Sequence, residues 1–167
     1  ISTAESSKGH FSPSLPYSAK EIYDMTGLEA AKNKALFIED SDKPNFYHPA
    51  IKALNSDQYK KLSEPARKKV EKLHNDFFYH RNEKLWYDNA MKKLQQLIAA
   101  TNMLPCAEDL GMLSESVGKC LKDLKILSLE VQSMPKMGMD NGTGIGDPQK
   151  YPYLSVCTTS THDIETL

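Results

Sequence analysis

Residues 103–131 read MLPCAEDLGMLSESVGKCLKDLKILSLEV, and the order of patterns within them decides the fold. Met103 to Ala107 is a short apolar run that predicts a strand. Ser114 then stands where an N-cap belongs, ahead of a helix carrying Val117, Leu121 and Leu124 on one face. Ile126 to Val131 is apolar or β-branched at most positions and predicts a second strand. A third strand candidate, Tyr153 to Thr159, runs into "TSTHD". Strands joined through a helix, with polar residues where each strand ends, make a parallel α/β sheet or barrel.

The chain before this core has a different texture. Residues Ile1 to Pro16 are rich in Ser, Gly and Pro and predict an ordered loop without regular helix. Ser18, with Glu21 three residues on, has the capping-box pattern and predicts a short helix through Tyr23. Lys32 to Pro49 mixes charges, Pro44, Pro49 and aromatic residues, and predicts a long connection. From Ser56 onward, Pro65 fits a first helical turn, and Val70, Leu73, Phe77 and Phe78 follow at helical spacing. Leu85, Trp86, Met91, Leu94, Leu97 and Ile98 continue a helical register to Ala100. One or two long helices are expected. The aromatic residues Phe77-Phe78-Tyr79 and Trp86-Tyr87 invite a sugar-stacking reading, but at this spacing they are read as core.

Composition removes several classes of function. The 167 residues are 40% hydrophobic and 26% charged, enough for a sizeable core. Lys plus Arg number 21 against 22 Asp plus Glu, so the net charge of −1 gives no footprint for nucleic acid or an anionic membrane. Three cysteines, Cys106, Cys120 and Cys157, have no Cys-x-x-Cys spacing, so neither a disulfide framework nor a metal site is expected, and a reducing, cytoplasmic setting is. No apolar run approaches the roughly 20 residues of a membrane span. The start "ISTAESSKGH" has no initiator Met, basic start or apolar stretch, and the chain is expected to be a piece of a longer protein. The glycine-rich "GMDNGTGIG", residues 138–146, has no following Lys-Ser/Thr and is flanked by Asp140, Asp147 and Pro148; it is read as a surface connection rather than a phosphate cradle.

Two predicted strand ends finish in polar pairs, Glu108-Asp109 and His162-Asp163. In parallel α/β architectures catalytic side chains gather where strands end, since the following loops enclose the site. Two carboxyl groups in different surroundings divide into a proton donor and an ionic stabiliser. Each acid also fits the plainer role of capping the helix beyond it, and pattern alone leaves both readings open.

"LPCAEDLGM", "LKILSLEVQSMPK" and "YPYLSVCTTSTHD", with "GHFSPSLP", "FYHPAIKAL" and "NDFFYHRNEKLWYDNAMKKL" upstream, resemble the amylomaltase or disproportionating-enzyme family, the 4-alpha-glucanotransferases of the alpha-amylase clan. The resemblance covers nearly the whole chain. It implies a partial TIM (β/α)8 barrel, with residues 101–167 as barrel strands five to seven and residues 1–100 as a loop and mostly helical insertion between strands four and five. By the same resemblance Glu108 is the general acid/base, Asp163 the transition-state stabiliser, and His162 a sugar-binding residue. The family's nucleophile is an Asp in an Arg-x-Asp-His motif, and this sequence contains no such motif. The isolated chain is therefore expected to be inactive. Ser133 stands in "EVQSMPK" where the family pattern has Arg, which bears on a polar contact at the donor site. The implied substrate is an α-1,4-glucan or maltooligosaccharide, and the implied chemistry uses no cofactor and no metal. The competing expectations are a non-catalytic glucan-binding or structural fragment, and another alpha-amylase-clan hydrolase.

Overall fold

The computed structural model describes residues 14–111 and 113–161. The chain divides into two compact units, Ile1–Asn82 and Glu83–Leu167.

In the first unit, β1 (Tyr17–Ser18) leads directly into α1 (Ala19–Thr26). The capping box is formed: the Ser18 hydroxyl accepts from the Glu21 N–H at 3.2 Å, and the Glu21 carboxylate accepts from the Ser18 N–H at 2.7 Å. The helix runs past Tyr23 and stops at Gly27, whose φ of 76° is left-handed and suits glycine. Ile22 and Thr26, one turn apart, form its buried face.

The long connection expected over Lys32–Pro49 is instead largely a β-hairpin. β2 (Phe37–Glu39) pairs antiparallel with β3 (Phe46–Pro49), and β1 pairs on the other side of β3, Tyr17 opposite Tyr47. Phe37 and Tyr47 are buried while Ile38 is half exposed, the alternation of a sheet with one covered face. The turn is held by Asp40, whose carboxylate accepts from the N–H groups of Asp42 and Lys43, both at 3.0 Å. Asn45 completes it at φ 64°. The charges and prolines that suggested a loop belong to this turn and to the strand end, and the three-residue strand beside them is too short to show a period.

After the single turn α2 (Asp57–Lys60), α3 (Glu64–Asp76) starts with Pro65 in its first turn, as expected. Its Val70 and Leu73 are wholly buried with Tyr17, Ile22, Leu36 and Phe37, so the helix closes the hairpin and α1 into one core. The helix then widens into a π turn, Phe77–Arg81. Phe77 is core, and Phe78 packs edge-on against it with ring centroids 5.0 Å apart.

The second unit opens with α4 (Glu83–Ala99), none of whose residues is fully buried. Trp86 and Tyr87, expected in a core, are half-buried. Tyr87 instead lies against α5 (Glu115–Leu124): its hydroxyl donates to Asp123 at 2.6 Å, and Lys119 Nζ sits 3.7 Å from its ring centre. Ser114 does hold the N-cap position of α5, yet its hydroxyl meets that of Ser116 at 2.7 Å. The orphan N–H of Ser116 is taken by the Glu83 carboxylate at 2.5 Å.

β4 (Ser128–Val131) and β5 (Ser155–Thr158) are parallel, in register from Ser128 opposite Ser155 to Val131 opposite Thr158. The strand expected over Met103–Ala107 contracts to one parallel bridge, Cys106 with Leu127. Its two hydrogen bonds are nonetheless those of a parallel ladder, Leu127 N–H to Pro105 O at 3.0 Å and Ala107 N–H to Leu127 O at 2.8 Å. Helix and strand are thus mixed as an α/β reading requires, with the segment at Cys106, β4 and β5 side by side. The glycine-rich segment folds at the end of β4 as a tight antiparallel turn, bridging Asp140 to Gly146. Gly146 donates to Gln132 O at 2.8 Å, and a Cβ there would meet the Tyr151 hydroxyl at 2.0 Å.

Candidate active site

Because the three segments are parallel, their carboxyl-terminal ends lie along one edge, and one of the two polar pairs singled out from sequence, Glu108-Asp109, stands there. The first segment delivers Glu108 and Asp109 there. β4 delivers Gln132 and Ser133, whose N–H groups pair with Thr158 O at 2.9 Å and Thr159 O at 3.1 Å. That pairing carries β5 to the start of the Thr-His-Asp stretch. His162 and Asp163 themselves lie outside the described residues.

Glu108 and Asp109 have opposite surroundings. Glu108 is exposed, while Asp109 is 8% exposed. One Asp109 oxygen accepts the Leu129 N–H at 2.8 Å, and the other meets Lys136 Nζ at 2.7 Å. The same ammonium group reaches Glu130 at 2.8 Å, and Glu130 also accepts from the Ser128 hydroxyl at 2.8 Å. Two buried carboxylates thus share one lysine whose side chain is 17% exposed. A buried charge is tolerated only when paired and hydrogen-bonded, and each member here is.

Glu130 and Lys136 were not singled out from sequence. The available signal was Glu130 itself, an acid inside the apolar run "ILSLEVQ", since an acid in a buried strand needs a partner. Nothing local names that partner, because Lys136 lies beyond the strand. Ser133 Oγ, at the position where the family pattern has Arg, is buried without a hydrogen-bond partner.

Cys106 and Cys120 are poorly suited as nucleophiles. Partial desolvation and the Asp109 charge both push the Cys106 thiol up, which keeps it protonated near neutral pH. Desolvation does the same for Cys120. Among the described residues no cluster of three His, Cys, Asp or Glu side chains has the arrangement of a metal centre, and no helix is long and apolar enough to cross a membrane.

A cavity of about 680 Å³ lies beside the ion network, walled by Val117, Leu121, Ile126 and Leu154, with Glu130 and Lys136 at its polar end. Its walls are mainly apolar, a poor match to a sugar with a hydroxyl on nearly every carbon. A smaller one, about 310 Å³, includes Glu108 with Trp86, Leu94 and Leu110.

A family model described as 4-alpha-glucanotransferase matches residues 29–167. Among curated proteins, the chain is 30% identical over 148 residues to "4-alpha-glucanotransferase DPE2" of Oryza sativa subsp. japonica, covering 89% of this chain and 15% of that protein. It is 35% identical over 92 residues to "4-alpha-glucanotransferase" of Chlamydia muridarum (strain MoPn / Nigg), covering 54% of this chain and 17% of that protein. The chain therefore spans less than a fifth of either relative. No solved structure matches it significantly.

Proposed function

Since the chain belongs to the 4-alpha-glucanotransferase family, we propose that it forms part of an enzyme that moves α-1,4-glucan segments between maltooligosaccharides by a retaining double displacement. One observation carries the assignment of roles within it. Of the adjacent acids at the first strand end, Glu108 is exposed and free of the ion network, while Asp109 is buried in it. A proton donor must reach its substrate, and a carboxylate committed to a lysine and a backbone N–H serves structure instead.

In this reading Glu108 gives its proton to the glycosidic oxygen as the bond from that oxygen to the anomeric carbon breaks. An aspartate from outside this sequence attacks the same carbon and forms a glycosyl ester. Glu108, now a carboxylate, takes the proton from the 4-hydroxyl of an acceptor glucan. That oxygen displaces the aspartate, and net transfer replaces hydrolysis. Asp163 stabilises the cationic transition state electrostatically, and His162 binds the sugar ring at the cleavage point. Residues 101–167 are then strands five to seven of a (β/α)8 barrel, residues 1–100 the insertion before them, and the enzyme works in the cytoplasm without cofactor or metal.

The test is transfer from maltotriose by the full-length enzyme carrying Glu108→Gln or Asp163→Asn. Each is expected to lower kcat by about 10²-fold or more. Near-normal turnover in a folded variant would remove that residue from the mechanism.

A further inference from the structure

The backbone around Glu108 ends its strand pairing in an unusual way. A parallel ladder continuing from the bridge at Cys106 would pass the Leu129 N–H to a main-chain carbonyl. Here the Asp109 side chain takes that N–H at 2.8 Å. Glu108 therefore lies between two anchors on β4, the Ala107 N–H on Leu127 O at 2.8 Å and the Asp109 carboxylate on Leu129. The first is main chain and fixed by the fold. The second is as firm as Asp109 is, and Asp109 is held by Lys136 at 2.7 Å, which Glu130 holds in turn at 2.8 Å.

We infer that Lys136, seated by Glu130, is a positioning residue that sets the aim of Glu108 through Asp109. The inference rests on Glu108 being the proton donor. Lys136 touches no substrate in this account. Its ammonium group keeps two buried carboxylates together and so keeps the Asp109 oxygen on the Leu129 N–H. Without it the carboxylates repel, the Asp109 side chain leaves the strand, and the Glu108 backbone loses one of its two anchors. Misplacing a catalytic group by about 1 Å costs on the order of 10²-fold in rate.

Such a role has a signature that a purely structural one lacks. A sugar leaving group needs the proton of the general acid, whereas fluoride departs with much less help. Measured as the first-turnover rate of glycosyl-enzyme formation in the full-length enzyme, Lys136→Met should slow reaction with maltotriose by about ten- to a hundred-fold. Reaction with α-maltotriosyl fluoride should stay within about two-fold, because acid assistance is the step affected. Lys136→Arg, which keeps a cation between the acids, should recover most of the loss with maltotriose. If Lys136→Met fails to fold, Lys136→Met/Glu130→Gln removes one carboxylate along with the ammonium group and takes its place, with the same selective defect expected. Equal slowing with both donors, or no slowing with either, overturns the inference. The variant Glu108→Gln separates the two levels. If it transfers normally from maltotriose, the assignment of the proton donor fails and the clamp fails with it. If it is inactive with maltotriose while folded Lys136→Met is normal, the clamp alone fails.

Discussion

Glu21 ties several neighbours together from a side chain that is only half covered. Its carboxylate accepts the Ser18 N–H at 2.7 Å and faces the Arg81 guanidinium at 3.3 Å. Arg81 in turn lies 4.1 Å from the centre of the Tyr17 ring and donates to Leu15 O at 2.8 Å. The Ser18 backbone bond first, with the Ser18 hydroxyl and Arg81 adding to it, holds the Glu21 carboxyl below its ordinary value of 4.5. A carboxyl lowered by folding stabilises the native state above its unfolded pKa, and that contribution is lost as pH falls through the lower folded value. Hydrogen-exchange protection of the α1 amides should therefore drop as pH falls below 4.5, modestly, because solvent screens a carboxylate that is 45% exposed. Glu21→Gln should remove that dependence, and Ser18→Ala should cost about 1 kcal/mol at neutral pH. Protection independent of pH in the native chain would show that the box does not hold the helix. This cap was legible because Ser18-x-x-Glu21 is a local pattern with a local partner. The Asp109–Lys136–Glu130 network was not, because its members meet only once β4 has paired with the segment at Cys106.

The π turn Phe77–Arg81 is where local pattern gives way at the level of elements, since the helical spacing of Phe77 and Phe78 continues smoothly through it. What holds it is Asn82, which is wholly buried. Its amide donates to Phe77 O at 2.7 Å, and its carbonyl oxygen accepts the Leu15 N–H at 2.6 Å. Asn82→Ala takes this partner from the buried Phe77 carbonyl and from the part-buried Leu15 N–H, and should destabilise the first unit by roughly 1–3 kcal/mol in urea unfolding. A loss below about 0.5 kcal/mol, the size of an ordinary surface change, would mean that the turn is held by packing alone. The elements readable from sequence were the helices with a long period or a named cap, α1, α3, α4 and α5, and the apolar or β-branched runs that became β4 and β5. The hairpin of β2 and β3 escaped because three or four residues carry little alternation, and its turn chemistry, Asp40 and Asn45, sits among charges that also suit a loop. Trp86 and Tyr87 were placed in a core because helical spacing reports a face without saying how deeply it is covered.

At the scale of the whole molecule, the parallel sheet is too small for the surface it presents. Parallel sheets are ordinarily buried on both faces, and an unpaired edge invites another chain. Among the described residues β5 pairs only with β4, and on the other side of β4 the only ladder pairing is the single bridge of Cys106 with Leu127, just ahead of the strand. Nearby side chains stand open, Tyr153 at 99% and Met137 at 100% exposed, with an apolar-walled cavity of about 680 Å³ beside them. In our reading the remaining strands of the barrel and the nucleophilic aspartate lie outside this sequence, so stability and activity should fail together. The 167-residue chain expressed alone should show by light scattering a mass above its 18.8 kDa, and should bind a hydrophobic dye. With maltotriose it should release no glucose and build no longer oligomers, since a proton donor without a nucleophile forms no glycosyl-enzyme. The full-length protein, carrying the Arg-x-Asp-His motif and the barrel strands that our reading expects, should show low dye binding and transfer activity together. A dye-silent monomer of 18.8 kDa would show that the edge of β5 is satisfied within this chain, and disproportionation by that monomer would place the nucleophile among its own residues.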